Sequence, residues 1–368
     1  MAAISDRSQV ISRIGCALFI FHAIGCGNGN TNAPTATGGA SAVDASDLPV
    51  CGPAGNVNPP TADGTPDPRA DVNRTGARLE KYHLAEGASI RDRLFLSLIK
   101  DDRDGLLALL NAGGDINSRH GGNYSIDSDG LVLFKEDANS EKQTLLQWAA
   151  GLSYSGETIR LLLSRGAVAN INIKTAEGRT PLMNAARNEY LAPEGFQALI
   201  DAGADVRVRD ADKMDAIMHA VSTDNRSHSV LCQISQKLTA LIRAGADING
   251  NEVYTPLMAA LYNRNLGVAK LVRGLGGDLR ARAKLDGSSA LHMVARAADD
   301  NVETVRWLLD RGIDLRIRDN AHLTALQLFK ENLTEGRCHV TDSFRPLVNN
   351  CAKGTLAIIN LIEHRHKR

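Results

Sequence analysis

Aromatic residues make up only 4% of this 368-residue chain, and neither sign of charge is in excess, with 42 basic side chains against 42 acidic ones. So few aromatics fit poorly with a β-sandwich or barrel, whose strands are enriched in them. The charge balance offers no global attraction to nucleic acid or anionic lipid. No Gly-rich phosphate loop, nucleophile elbow or paired-carboxylate pattern stands out. Cys338, His339, His364 and His366 include no two with zinc-site spacing. We therefore expect no catalytic residue, metal or cofactor, and no nucleic-acid partner. What is plentiful is Ala, Leu and Gly, which suits short helices stacked closely.

The N-terminus reads as an export signal over 1–25. Arg7 and Arg13 precede an apolar run of 11 residues, Ile14 to Ile24. As a helix this run would be about 16 Å long, too short for a hydrocarbon core of roughly 30 Å. The segment ends Ala23-Ile24-Gly25-Cys26, which resembles the lipobox of bacterial lipoproteins. The resemblance implies that Cys26 carries lipid and holds the protein on the bacterial cell envelope. Ala23 replaces the favoured Leu and His22 interrupts the apolar run, so an ordinary cleaved signal is the competing reading. Residues 26–80 then read as a flexible tether, holding seven of the eleven prolines between Pro34 and Pro68, with a reach of about 35 to 40 Å. Sequons at Asn73, Asn123, Asn225 and Asn332 leave open a secreted eukaryotic protein.

One motif recurs through the rest. Thr180-Pro181-Leu182-Met183-Asn184-Ala185-Ala186 has echoes led by Thr144, Asp215, Thr255, Ser289 and Thr324, spaced 36, 35, 40, 34 and 35 residues apart. A Thr at the N-cap followed by Pro starts a helix without loss, because the missing N–H had no partner there. Each unit then has a second helix closed by glycine: Gly113, Gly166, Gly203, Gly245, Gly276 and Gly312. A repeat of this length marks a solenoid of helix pairs.

Thr-Pro-Leu-x-x-Ala-Ala, with Ala202-Gly203-Ala204-Asp205 and Ala244-Gly245-Ala246-Asp247, resembles ankyrin repeats over about residues 90 to 365. The resemblance implies an all-α solenoid of about seven helix-pair units with short β-hairpin tips. We place an N-terminal capping repeat at 81–117, an inserted hairpin at 118–143, ankyrin repeats at 144–318, and a C-terminal capping repeat and tail at 319–368. The insertion should pair Tyr124-Ser125-Ile126 with Leu131 to Phe134 across an Asp-Gly turn. The unit led by Asp215 is seven or eight residues longer than its neighbours, and the excess reads as a loop, Thr223 to Ser229. Ile358, Ile359, Ile362, Leu356 and Leu361 should cover the last face, ahead of a polar tail. His292 should bond backbone as structure, and Cys338 and Cys351 should pair as a disulfide.

The resemblance also implies a non-catalytic protein–protein interaction scaffold, a monomer that binds its partner on the concave hairpin and inner-helix surface. Narrower is an inhibitor or protective, immunity-type protein for another envelope protein; an enzyme with an unrecognised site is the reading from another class. Arginines two apart at Arg207 and Arg209, Arg280 and Arg282, and Arg316 and Arg318 would share one face if extended. With Lys174, Lys284 and Tyr124 of the hairpin they outline a surface for an acidic protein partner. Asp210, Asp212, Asp286 and Asp319 stand nearby and can neutralise it.

Overall fold

Six helices begin one residue after the repeated lead positions, and in five of them the lead side chain takes up an N–H that the first turn leaves unpaired. Thr180 accepts from Met183 N at 3.4 Å, Thr255 from Met258 N at 3.3 Å, and Asp215 from Met218 N at 3.0 Å. The computed structural model describes residues 83–100, 102–121, 124–126, 132–134, 142–153, 156–222, 227–250, 253–297, 302–334 and 348–366. The signal segment 1–25, Cys26, the tether and Cys338 lie outside these residues. Tyr124 and Cys351 are described in their backbone alone.

Seven helix pairs follow in order among the described residues. They are α1 (Ile90–Ile99) with α2 (Arg103–Asn111), α3 (Leu145–Leu152) with α4 (Gly156–Ser164), and α5 (Pro181–Arg187) with α6 (Pro193–Asp201). Next come α7 (Ala216–Val221) with α8 (His228–Arg243), and α9 (Pro256–Tyr262) with α10 (Leu266–Gly274). The last are α11 (Ala290–Arg296) with α12 (Val302–Asp310), and α13 (Ala325–Thr334) with α14 (Val348–His366). Each first helix packs on the first helix of the next unit, from α1 through to α13. This inner layer is the most apolar part: Leu145, Leu182, Ile217, Leu257 and Leu291 are all buried. All six closing glycines have positive φ, between 72° and 103°, which a side chain would strain. No helix among the described residues is long and apolar enough to cross a membrane.

The insertion pairs twice. β1 (Arg119–Gly121) runs antiparallel to β4 (Lys142–Thr144), and β2 (Tyr124–Ile126) to β3 (Val132–Phe134). Ile126 stands opposite Val132, and Leu131 and the expected Asp-Gly turn lie outside the described residues. The tips of the other units are turns closed by single backbone bonds, such as Asp210 N to Met214 O and Asp319 N to Leu323 O, with one bridge, Arg318 to Thr324.

Two expectations need correction. The excess in the fourth unit is not a loop through Ser229: Ser227 is the N-cap of α8, a helix of 16 residues where α4, α6, α10 and α12 have 9. Val230, Ile234, Leu238 and Leu241 recur on one helical face and are buried, which carries the helix back through the polar start. At the other end Ile358, Ile359 and Ile362 are buried but Leu356 is 50% exposed, and the helix continues through His364 to His366.

Candidate partner-binding surface

Stacking the inner helices lines up their last turns along one side of the stack. Counted from the lead positions, Gly151, Arg187, Ser222, Tyr262 and Arg296 share one place in consecutive units. Two hollows open here. One, of about 380 Å³, is bordered by Gln143 of β4, Gln147, Trp148, Leu152, Arg179 and Asn184. The other, of about 200 Å³ and more enclosed, lies among Glu189, His219, Ser222, Gln233 and Lys237. Arg187 lines both, so they form one groove across the second, third and fourth units. The base of the inserted hairpin borders the groove through Gln143, whose Oε1 accepts from Asn184 Nδ2 at 3.2 Å.

The groove is basic and firmly built. Arg179 pairs with Glu177 at 2.5 Å. Burial, then the Arg179 guanidinium, lowers the Arg187 pKa, while Glu177 and Asp210 oppose the shift. Lys237 forms part of the wall; it is 1% exposed and donates from Nζ to Ala185 O at 3.0 Å and to Asn188 O. These carbonyls end α5, and in other units an Asn does this work: Asn188 donates to Ala150 O and Ser153 O, and Asn332 to Ala295 O. Burial pushes the Lys237 amine down to about 7, against the pull of Glu189. Gln233 Oε1 is buried there without a hydrogen-bond partner.

The basic ladder is placed differently from its sequence outline. Arg207, Arg280 and Arg316 fall in turns, with their N–H groups held by Asp205, Asp278 and Asp314, so the spacing of two does not put each pair on an extended face. Arg282, Arg318 and Lys174 reach backbone carbonyls: Arg282 donates to Gly287 O and Arg318 O, Arg318 to His322 O, and Lys174 to Arg209 O. Lys284 lies in an exposed turn. Arg209 is half-buried.

Of the four neighbouring aspartates, three have close partners outside this ladder. Asp210 is buried, with Oδ2 2.8 Å from His219 Nε2, and Asp286 and Asp319 both take Arg296. Asp212 is exposed, and burial raises its pKa first. His292 bridges units as expected: Nε2–H donates to Leu323 O at 3.0 Å, and Nδ1 accepts from Ser289 Oγ at 2.7 Å. Burial lowers its pKa. Cys232 is disulfide-bonded. Among the described residues no group of three His, Cys, Asp or Glu side chains is placed to hold a metal ion.

Sequence reasoning missed Arg179, Arg187, Trp148 and Lys237. The first three follow from the repeat register once the side holding the last turns is assigned, and a lysine among the buried residues of α8 is the signal for the fourth.

Comparison with known proteins accords with this architecture. A family model described as ankyrin repeats in three copies matches residues 126–210, and a single ankyrin repeat matches 286–320. Among solved structures, the ankyrin repeat domain of Bcl-3, described as a unique member of the IkappaB family, is 21% identical with a TM-score of 0.46. The match covers 66% of this chain and 95% of that one. The human ASB11 ankyrin repeat domain is 20% identical with a TM-score of 0.49, over 72% of this chain and 96% of that one. No curated protein matches. The chain carries ankyrin repeats, and its fold is an all-α ankyrin-repeat solenoid.

Proposed function

We propose that this protein is a non-catalytic binding scaffold, exported and held on the bacterial envelope by lipid at Cys26, that takes a protein partner with acidic groups on its concave side. The observation that carries the reading is the groove in which Arg187 joins two hollows between capped, closely packed helices. Such a surface is formed before binding, so a partner meets little ordering cost. Its arginines favour carboxylates and speed their approach. Export is supported by the bonded Cys232, since disulfides persist in oxidising compartments.

Cross-linking and affinity capture from native envelope membranes test the scaffold. Capture with the intact protein should enrich a partner, and Arg179→Glu with Arg187→Glu should lose it. Retention of that partner by the reversed groove, and its loss on reversal of Arg209, Arg282 and Arg318 instead, would move the site to the ladder. Mass spectrometry of the mature N-terminus should find a lipid-modified Cys26; an unmodified residue elsewhere in the chain would remove the anchor.

A further inference from the structure

Lys237 and the enclosed hollow beside it hold more chemistry than a groove wall needs. Lys237 is 1% exposed to bulk solvent, yet it borders a space of about 200 Å³. At about 30 Å³ for each water-sized group, the space takes roughly six or seven of them, the size of an acid of about two to four carbons. Among the described residues that line it, Glu189 is the one carboxylate, set against Arg187, His219 and Lys237.

The groups around this amine suit a nucleophile as well as a cap. Burial holds the amine down to about 7, so about half of it is neutral at neutral pH, against fewer than about one in a thousand for an ordinary lysine. His219 donates from Nε2 to Asp210 Oδ2 at 2.8 Å, and a neutral imidazole bonded in this way carries its lone pair on Nδ1, where it can move a proton. Asp210 is fixed in turn, because Oδ1 accepts from Asp212 N and Met214 N at 2.9 Å. Gln233 Oε1 is buried without a partner, an acceptor that a hydroxyl formed in the hollow would satisfy.

We propose that this hollow is a site for a small 2-oxo acid, whose carboxylate pairs with Arg187 and whose carbonyl carbon condenses with Lys237 Nζ as an imine. The neutral amine adds to the carbonyl carbon; the C–O bond then breaks, and the oxygen leaves as water with the two amine protons. A proton taken from water leaves the imine protonated, with one N–H for one of the two carbonyls that the amine served. The acid's own carboxylate gives this buried cation a counter-ion. The second carbonyl loses its donor, so hydrolysis restores a bond and the link stays reversible. The reaction is covalent binding without turnover. It goes beyond the scaffold reading and shares only Arg187 with the groove offered to a protein partner.

Glyoxylate, the smallest 2-oxo acid, tests the site on the purified mature protein at neutral pH with no protein partner present, so either reading can fail while the other stands. Cyanoborohydride reduces the imine to carboxymethyl-lysine, and peptide mass spectrometry follows each lysine with time. Lys237 should be modified at least about tenfold faster than the exposed Lys174 and Lys284. A rate at Lys237 no greater than at those two overturns the proposal. Acetaldehyde lacks the carboxylate, and the lead of Lys237 over Lys284 should shrink with it by at least about fivefold. Arg187→Met should bring the glyoxylate lead down to the acetaldehyde level and leave the acetaldehyde rates, Lys174 and Lys284 as they were. An equal lead for both aldehydes in the wild type, or a glyoxylate lead that survives Arg187→Met, overturns the assignment to a 2-oxo acid.

Discussion

Replacing Lys237 with Met should remove a pH dependence of stability that the wild-type solenoid carries. The amine is 1% exposed, serves the Ala185 and Asn188 carbonyls, and lies 5.7 Å from the Phe196 ring centre, with Glu189 in the same hollow. Burial lowers its pKa from 10.5 to about 7. The neutral amine still has two N–H donors for two carbonyls, so deprotonation leaves neither acceptor unmet. Because the folded value lies below the unfolded one, the unfolded chain binds more protons between pH 7 and 10.5, and stability rises with pH across that window. Below it the amine is charged in both states and the full cost of burial is present. The depression sets an upper limit of about 5 kcal/mol for the gain. Urea unfolding at pH 7, 8, 9 and 10 reads this as a rising midpoint in the wild type. In Lys237→Met the rise should vanish, while two unmet carbonyls cost about 1 to 3 kcal/mol each at every pH, so the wild type gains on the variant as pH rises. Parallel wild-type and variant midpoints from pH 7 to 10 would refute the reasoning.

Other positions give simpler outcomes. Asn249 spans to the next unit by donating to Gly276 O and accepting from Asp278 N, whereas Arg207 at the same place makes one long bond to Gly245 O. Arg207→Asn should therefore stabilise by about 1 kcal/mol, seen as a higher melting temperature, with Gly245 O and Asp247 N as its partners. A methyl on Gly195 would overlap the backbone of Gly156 where α4 meets α6, so Gly195→Ala should cost at least about 1 to 3 kcal/mol in urea unfolding. Arg296→Met leaves the Asp286 and Asp319 carboxylates without their cation and should cost about 3 to 5 kcal/mol by the same assay.

The fold was legible because its signals are local and repeated. Thr180-Pro181 and its echoes act through bonds within one turn, and each closing glycine answers a backbone angle at its own position. The groove was less legible because its members come from different units. Arg187 means little until the register stacks it beside Arg179, and Asp286 reads as a neighbour of Arg282 until the fold turns it to Arg296. The polar start of α8 is hard to read in the sequence for a similar reason. Ser227-His228-Ser229 has the composition of a loop, and only the apolar spacing from Val230 to Leu241 shows where the helix must begin. Lys174, Arg282 and Arg318 stand out in the sequence as charges, yet they donate to carbonyls that tie the tips together.

The long α8 shows that such a stack can grow in two independent directions. Adding units lengthens it along its axis and alters every position's distance from the ends. Adding turns to the start of an outer helix extends a single rung sideways, leaving its closing glycine and the neighbouring rungs in step. Seven extra residues here supply both the bonded cysteine and one wall of a hollow, and Lys237 replaces the Asn that caps the inner helix elsewhere. A rung altered this way can acquire chemistry of its own while its neighbours keep their spacing, so irregular helix length is a place to look for specialised surfaces in otherwise uniform stacks.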